Sequence, residues 1–207
     1  MSNGAILVGY SGHSYVVYDI LNANQISCYQ YCEEAEKNRN PFNLTYLGSE
    51  FDNDILSQNR DSDFYLAVGN NVIRSKIYQH LSRLDINMPS LVHPCSIISK
   101  FCSIDYGSVI MPGVVINPAS KIGKGVICNT SSVIEHEASI GDFVHIAPGA
   151  VLAGNVAIGK NSFIGANSVI KQGVQIGTNV TVGAGSVIIE NVPDNSLVYG
   201  NPGKLKL

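Results

Sequence analysis

The sequence has no tryptophan and little charge: charged residues make up 14% of its 207 residues, and 13 basic and 16 acidic side chains leave a net charge of −3. This balance offers no cationic surface for the phosphates of a nucleic acid. No apolar run approaches the roughly 20 residues of a membrane-spanning helix, and the run Ala5–Val8 is too short for a signal peptide. We therefore expect a cytoplasmic protein with no nucleic-acid or membrane partner. With 45% hydrophobic residues, the low charge suits flat faces that are buried against sister subunits.

Cysteine is also sparse and forms no disulfide or metal-binding pattern. The five cysteines are odd in number and lack the paired spacing of a structural metal site. We expect reduced thiols, as in cytoplasmic proteins, and no bound metal. These residues are Cys28, Cys32, Cys95, Cys102 and Cys128.

What the sequence does contain is an unbroken period of six from Val92 to Ile188. Sixteen of the seventeen positions spaced six apart are Ile, Leu or Val, and the exception is Cys128. Neither the 3.6-residue period of a helix nor the two-residue period of a strand gives this pattern, whereas the hexapeptide repeat of a parallel β-helix does. Three hexapeptides close one triangular coil, so residues eighteen apart should stack, and about five coils fit in this stretch.

Two further positions of each hexapeptide follow the repeat. The residue four places after the aliphatic is small or β-branched and should also point inward, as at Ser108 and Val114. Glycine recurs directly after the aliphatic, as at Gly141 and Gly159, where we expect a corner that needs positive φ or close backbone approach. Because each coil buries its apolar side only against its neighbours, the ends of such a stack need caps.

Residues 1–92 are predicted to form a small Rossmann-like α/β domain. The strand Ala5–Gly9 leads through a glycine turn into a helix from Ser14 to about Asn22, and Gln25–Tyr31 reads as a second strand. After a polar excursion, Phe64–Val68 gives a third strand and Val72–Leu84 a helix that an asparagine can cap. This order is that of the dinucleotide-binding fold, whose ligands bind at the carboxyl ends of the strands. Residues 93–190 are then the β-helix domain and residues 191–207 a capping tail.

The glycine turn Gly9–His13 is not the full G-x-G-x-x-G fingerprint, so two interpretations stay open. In one, the backbone N–H groups of Ser11–His13 hold a phosphate at the helix N-terminus. In the other, this is an ordinary turn between a strand and a helix. Glu33 and Glu34 similarly either accept hydrogen bonds from a ribose or a base, or form a solvated strand end.

One corner of the repeat carries a histidine and a glutamate. His136 lies two places after Ile134, an outward position where a core histidine is not expected, and Glu137 can accept its ring N–H. Such a pair suits a general base and the carboxylate that orients it. A solvated polar corner is the alternative for a lone histidine.

A column of short side chains marks another edge of the coils. Pro148, Ala166 and Ala184 are eighteen apart, and each lies two places after an inward aliphatic. The column leaves a lengthwise groove that suits an extended arm such as phosphopantetheine, although close subunit packing also explains small residues.

Together these motifs resemble one family over nearly the whole chain. The segments Asn129–Glu137, Ala153–Gly159, Gly9–His13, Gly69–Asn71 and Gly200–Lys204 are similar to those of hexapeptide-repeat nucleotide-sugar N-acyltransferases of the sialic-acid and bacillosamine type, above all UDP-4-amino-sugar N-acetyltransferases. The resemblance implies a mainly β protein with a left-handed parallel β-helix. It also implies a homotrimer with acetyl-CoA bound between adjacent β-helices and a UDP-sugar held by the N-terminal domain.

The resemblance assigns a role to each matching residue. It makes His136 the general base and Glu137 its modulator, and it places Asn129 near the reacting centre. His145, Ala166 and Ala184 would line the acetyl-CoA site. Ser11, Gly12 and His13 would hold the pyrophosphate, Glu33 and Glu34 the uridine, and Gly69 and Asn70 the sugar end.

The implied reaction is direct attack of the C4 amine of a UDP-4-amino-4,6-dideoxy sugar on acetyl-CoA, for surface glycan or glycoprotein biosynthesis. A sialic-acid O-acetyltransferase and a GDP-perosamine N-acetyltransferase are alternatives on the same scaffold. The acidic pair is Glu-Glu where the bacillosamine enzyme has Asp-Asp, and this departure bears on the choice between UDP and GDP. The non-enzymatic alternative, a structural or ligand-binding β-helix, would be expected to have flat Thr-rich faces. A metal-dependent carbonic anhydrase would need three stacked histidines, and the spacing of His136 and His145 is no multiple of eighteen.

Overall fold

The computed structural model describes residues 4–206, and its N-terminal part is a parallel four-stranded sheet with flanking helices. The strand order is β3-β2-β1-β4, so β1 and β4 are neighbours although a long stretch of chain separates them. This is the switch-point topology of a Rossmann-like domain, and that prediction is confirmed. The elements are β1 Ala5–Val8, α1 Gly12–Ala23, β2 Cys28–Cys32, β3 Thr45–Gly48, α2 Asn53–Gln58, β4 Phe64–Leu66 and α3 Asn71–Arg83.

The second strand begins at Cys28 rather than at Gln25, so the predicted start of this strand is wrong. The chain is still closing helix α1 at that point, because the Gln25 N–H donates to the Asn22 carbonyl at 2.9 Å and the Ile26 N–H to the Leu21 carbonyl at 2.9 Å. These bonds hold the backbone in a helix-terminating turn that the alternation of side chains does not reveal.

The polar excursion contains two elements that the sequence pattern did not indicate, strand β3 and helix α2. Helix α2 buries only Leu56, so it has no apolar periodicity to detect. Its start is fixed instead by Asp52, whose carboxylate accepts backbone N–H bonds from the first turn. Asn70 caps α3 in the same way, as predicted, by accepting the Ile73 N–H at 3.0 Å. No helix within residues 4–206 combines the length and the apolarity needed to cross a membrane.

The hexapeptide repeat forms a parallel β-helix with three faces, which confirms the predicted fold. Residues eighteen apart pair in parallel, for example Val133 with Val151 and His145 with Phe163. The docking face comprises Leu91–Val92, Val109–Ile110, Ile127–Cys128, His145–Ile146, Phe163–Ile164 and Thr181–Val182, extended by the hairpin Leu197–Gly200 and Gly203–Leu205. The valine face comprises Ile97–Ile98, Val115–Ile116, Val133–Ile134, Val151–Leu152, Val169–Ile170 and Val187–Ile188. The polar face comprises Ser103–Ile104, Lys121–Ile122, Ser139–Ile140, Ala157–Ile158 and Gln175–Ile176.

Both predicted inward positions of the repeat are buried in the prism. From the second coil onward the periodic aliphatics are almost fully buried, and so are the small residues four places later. Most of the buried serines offset the cost of losing water by bonding to the corners: Ser108 Oγ donates to the Gly123 carbonyl at 2.8 Å, and Ser162 Oγ to the Gly177 carbonyl at 2.7 Å. Ser132 Oγ is the exception within residues 4–206 and has no partner.

The corners divide two backbone requirements between two positions. The glycine directly after the aliphatic is needed for close approach, since a Cβ on Gly159 would lie 2.5 Å from the backbone of Gly177. Positive φ falls two residues further on, where glycine or asparagine is common, as at Gly125 and Asn161. Of the two explanations for the post-aliphatic glycine, close approach is therefore the right one.

The β-helix begins with Leu91–Val92, which pairs in parallel with Val109–Ile110. At the other end, Leu197–Gly200 adds a rung to the docking face and folds back as an antiparallel hairpin with Gly203–Leu205. This hairpin covers the edge of the last coil, the place that the tail was predicted to cap.

The α/β domain packs against the docking face through a fully buried arginine of α3. Arg74 is 1% exposed, and no carboxylate within residues 4–206 pairs with it. Its guanidinium binds only neutral oxygens, and burial lowers its pKa to about 9, which leaves it charged at neutral pH. Nε donates to Gly125 O (2.7 Å), Nη1 to Val68 O (3.1 Å) and Gly69 O (3.0 Å), and Nη2 to Asn71 Oδ1 (2.9 Å), Phe143 O (2.9 Å) and Val144 O (3.4 Å).

Candidate active site

The carboxyl ends of β1 and β4 meet the docking face in a region that we call the crevice, where the Gly69 carbonyl faces His145. The segment Ser11–His13 begins α1 and the segment Gly69–Asn70 begins α3, so two helix N-termini lie side by side. A Cβ on Gly69 would lie 3.9 Å from the His13 side chain, and one on Gly12 would meet nothing within 4 Å. The open backbone at Gly12 and the partial positive charge of the helix ends suit an anionic ligand.

The acidic pair lies at the outer end of this crevice. Glu33 Oε2 accepts the Tyr10 N–H at 2.8 Å and lies 3.5 Å from Lys37 Nζ, which fixes the turn after β1. Glu34 is exposed and free to meet a ligand. Glu50, which sequence reasoning missed, is 5% exposed, and burial, with a smaller contribution from Glu33 and Glu34, raises its pKa.

A chain of hydrogen bonds links the crevice to the coils through His145. Asn129 Oδ1 accepts the Thr130 N–H at 2.8 Å, which turns the amide nitrogen toward His145 Nε2 at 3.0 Å. His145 Nε2 is then the acceptor and Nδ1 carries the proton, which points at the Gly69 carbonyl at 3.4 Å. The coil thereby holds the loop that begins α3.

Both histidines of the crevice are neutral at pH 7. Burial lowers the pKa of His145 to about 4, with a smaller effect of Arg74. Burial, with smaller effects of the nearby His145 and Arg74, lowers the pKa of His13 to about 3. The buried Nε2 of His13 has no hydrogen-bond partner within the described chain. An uncharged imidazole here can donate or accept one hydrogen bond, and it does not repel the nearby guanidinium of Arg74.

The second functional group lies on the corner between the valine face and the polar face. His136 Nδ1 is 3.0 Å from Glu137 Oε2, and the two side chains are 52% and 63% exposed. Glu137 has a φ of 62°, a left-handed conformation that costs a non-glycine residue roughly 1–2 kcal/mol. The backbone bends there in a way that places the carboxylate beside the imidazole. This corner can accept a proton from a group presented by solvent or by another molecule.

The predicted column of short side chains lies on the corner between the docking face and the valine face. Pro148 and Ala184 are exposed and Ala166 is half-buried, so the column is open along the molecule. Phe163, a large exposed side chain above His145 on the docking face, is a further residue at this edge. The repeat gave no signal for it, because outward positions of the strands accept any side chain.

Within one chain, the predicted site residues form two separate groups. Asn129 contacts His145, at the crevice, whereas His136 contacts Glu137 on the opposite edge of the valine face. No hydrogen bond within residues 4–206 joins the two groups. Asn129 and the His136–Glu137 pair make no hydrogen bond to each other inside one chain, and the position of Asn129 near the reacting centre stays a prediction.

Two other kinds of centre, a metal cluster and a nucleophile at Cys128, do not fit the described residues. No group of three or more His, Cys, Asp or Glu side chains in residues 4–206 could hold a metal ion. Cys128 is fully buried in the prism, and burial raises the pKa of its thiol. A thiolate nucleophile at Cys128 is therefore excluded on both access and charge.

Two family models match parts of the chain. Residues 5–81 match the PglD N-terminal domain, and residues 155–190 match the hexapeptide repeat of succinyl-transferase.

Several solved structures are similar over the full length. The acetyltransferase domain of PglB from Neisseria gonorrhoeae FA1090, in complex with acetyl coenzyme A, is 33% identical with a TM-score of 0.91 over 98% of this chain and 98% of that chain. A histidine-to-alanine mutant of GDP-perosamine N-acetyltransferase from Caulobacter crescentus, in complex with CoA and GDP-perosamine, is 29% identical with a TM-score of 0.94 over 100% of this chain and 98% of that chain. WeeI from Acinetobacter baumannii AYE is 26% identical with a TM-score of 0.88 over 98% of this chain and 99% of that chain.

Proposed function

The chain belongs to the hexapeptide-repeat nucleotide-sugar acetyltransferases, and within that family we propose that it moves an acetyl group from acetyl-CoA to the C4 amine of a UDP-4-amino-4,6-dideoxy sugar. The exposed His136–Glu137 pair carries the proposal, because it is a base and its orienting carboxylate on a corner open to both substrates. The acetylated sugar would serve surface glycan or glycoprotein biosynthesis.

The proposed reaction is a direct attack without a covalent enzyme intermediate. The amine nitrogen bonds to the thioester carbon while His136 takes one amine proton, and Glu137 stabilises the resulting imidazolium. The tetrahedral intermediate then collapses, the C–S bond breaks, and the thiolate of CoA takes up a proton. A backbone N–H at a coil corner would stabilise the oxyanion.

We place the nucleotide in the crevice of the α/β domain. The N–H groups of Gly12 and His13 face the pyrophosphate, since they lie in the first turn of a helix and a ligand meets no side chain at Gly12. The predicted use of the Ser11 N–H is corrected, because this group donates to Ser14 Oγ at 2.8 Å. Glu33 and Glu34 hold the nucleoside end. Gly69 and Asn70 hold the sugar end, next to the neutral His145.

Acetyl-CoA is assigned to the open column on the next corner. Its pantetheine arm would run along Ala166 and Ala184, with His145 at the reacting end. The column and the His136 corner lie on opposite edges of the valine face of one chain. A site that uses both therefore needs two copies, with the column of one beside the histidine of the next.

The proposed homotrimer satisfies this requirement. The outward residues of the valine face are all Val or Ile, and they run the whole length of the prism. The outward residues of the polar face include Ser103, Lys121, Ser139 and Gln175, which suit water. A cyclic arrangement about the valine face buries the apolar stripe and brings unlike edges of neighbouring copies together.

An acetyl-transfer assay with the purified enzyme tests the function. Thiol release from acetyl-CoA is measured with a UDP-4-amino-4,6-dideoxy sugar, with GDP-perosamine and with free sialic acid as acceptors. We expect the highest kcat/KM with the UDP-sugar. The full-length similarity to the GDP-perosamine enzyme makes the GDP-sugar the second candidate. Turnover of sialic acid alone would contradict both amine acceptors.

Replacing Gly12 by leucine should raise KM for the nucleotide sugar by about tenfold or more. A charge-assisted hydrogen bond to phosphate contributes about 1.5–3 kcal/mol, and about 1.4 kcal/mol corresponds to a factor of ten. The fold should be kept, since a side chain there meets no protein atom within 4 Å at its Cβ. KM for acetyl-CoA should stay unchanged.

The control is Asn22→Leu, an exposed position near the other end of the same helix, which should leave both KM values unchanged. An equal rise of both KM values in Gly12→Leu would contradict the assignment of the crevice to the nucleotide alone.

Replacing Val151 by aspartate should break the trimer and abolish most activity. Val151 is in the middle of the valine face, and an unpaired charge buried at the interface costs several kcal/mol. Light scattering of the wild type should give about three times the 22.1 kDa chain mass, and the variant should approach one chain. Ser139→Asp, on the polar face, should remain trimeric and active. A monomeric wild type with full activity would refute the shared site.

A further inference from the structure

Gly154 lies one coil above His136, and the imidazole ring occupies the space where a side chain of residue 154 would stand. An ideal Cβ on Gly154 would be 2.5 Å from Cε1, 2.6 Å from Nε2 and 3.2 Å from Nδ1 of His136. The coil ladder fixes this stacking, since the Asn155 N–H donates to the His136 carbonyl at 2.8 Å. The bare backbone of Gly154 is thus the surface on which the ring rests.

The glycine is not required by its own backbone. Gly154 is absent from the described residues with positive φ, so its conformation is open to alanine. The three atoms nearest to its Cβ would all belong to the His136 ring, and none to the backbone of the neighbouring coil. This distinguishes it from Gly159, where the obstacle is the backbone of Gly177.

A methyl group at residue 154 would therefore be accommodated by moving the imidazole. Ordinary van der Waals contact begins near 3.4 Å, so the ring has to shift by about 1 Å. Its bond to Glu137 is 3.0 Å long, and a shift of that size breaks or weakens it. His136 is about half-exposed within one chain, so the ring is not enclosed by residues of its own chain on its outer side.

We propose that Gly154 is a positioning residue, which by lacking a side chain holds the His136 imidazole against Glu137 in the orientation that proton transfer needs. The proposal rests on the general-base role assigned to His136 above. A misplacement of about 1 Å in a reacting group can lower a rate by about 10²-fold.

The test compares kcat and both KM values of Gly154→Ala with those of the wild-type trimer. We expect kcat to fall by about 10-fold to 10²-fold with KM for either substrate little changed. Thermal unfolding should be unaltered. In a crystal structure of the variant, the distance from His136 Nδ1 to Glu137 Oε2 should exceed about 3.5 Å.

A matched control is Gly203→Ala in the C-terminal hairpin. A Cβ there would also lie 2.5 Å from the end of a side chain, Ile188 Cδ1, and its φ is likewise not positive. It should leave kcat unchanged, which separates the effect of the ring from that of a clash in general.

A double-mutant cycle with His136→Ala decides whether Gly154 acts through the ring. If it does, Gly154→Ala lowers kcat in the wild type but has no further effect when His136 is alanine. An equal loss in both backgrounds, or a rise confined to KM for acetyl-CoA with kcat unchanged, would overturn the proposal, since the methyl group would then act on a ligand. Wild-type kcat in Gly154→Ala would also overturn it. Wild-type kcat in His136→Ala would instead refute the general base, so the two failures are distinguishable.

Discussion

Replacing His136 by alanine is expected to lower kcat by about 10²–10⁴-fold, the usual contribution of a general base. Both KM values should change little, because the imidazole acts on the proton that leaves during the reaction and not on the bound substrates. The side chain is about half-exposed, and Glu137 is its one ion-pair partner within residues 4–206, so the loss of stability should be below about 1 kcal/mol. Raising the pH should recover part of the rate, since more of the sugar amine is then neutral without help.

The measurement is steady-state kinetics with the nucleotide sugar and acetyl-CoA, on trimers of equal melting temperature. His93→Ala is the control: this coil histidine accepts the Cys95 N–H at the start of the β-helix and lies outside the site. It should retain wild-type kcat. Near wild-type turnover by His136→Ala at neutral pH would show that the amine needs no base and that the histidine is only a polar corner.

Replacing Arg74 by methionine is expected to have the largest effect on stability. Six oxygens lose their donor at the junction of the two domains. A buried hydrogen-bonding group left without its partner costs about 1–3 kcal/mol. Because six oxygens are affected but water will reach some of the carbonyls, we expect a loss of at least about 3 kcal/mol. Arg74→Lys should recover little of the lost stability, because an ammonium group lacks the planar set of N–H donors with which the guanidinium reaches these oxygens.

Hydrogen exchange and thermal unfolding at one fixed protein concentration check this expectation. Amides of Gly69 and Asn70 should exchange faster, and KM for the nucleotide sugar should rise, since the loop loses its attachment to the coils. Arg83→Met changes an exposed arginine of the same helix and should behave as wild type. A melting temperature for Arg74→Met equal to that of the control would show that the domains are held by apolar packing alone.

The β-helix could be predicted from the sequence because its rule is local and repeated. Each aliphatic at the sixth position faces inward whatever the rest of the chain does, so Ile134 and Leu152 could be placed without tertiary information, and both are fully buried. The resemblance to nucleotide-sugar acyltransferases rested on motifs in both the repeat and the α/β domain, and family membership bears it out. Helix α2 was missed for the opposite reason: one buried leucine gives no period.

The site was predictable only as a set of residues. His136 and Glu137 are adjacent in sequence, so their contact needed no fold. The eighteen-residue stacking rule even places residue 154 above residue 136, but the direction in which the ring leans depends on the corner geometry that positive φ at Glu137 creates.

The sequence by itself therefore determined the coil, its register and its inward side chains, because these follow from short-range periodicity and residue type. The class of chemistry followed from the resemblance of its motifs to a known family. Only the tertiary structure showed that Asn129 contacts His145, and that this pair and the His136–Glu137 pair lie on opposite edges of one face. Only it showed that Arg74 joins α3 to separate parts of the coil wall. Contacts between distant segments depend on how two domains dock, and docking is set by the shape and hydrogen-bonding groups of whole surfaces, which no periodic pattern records.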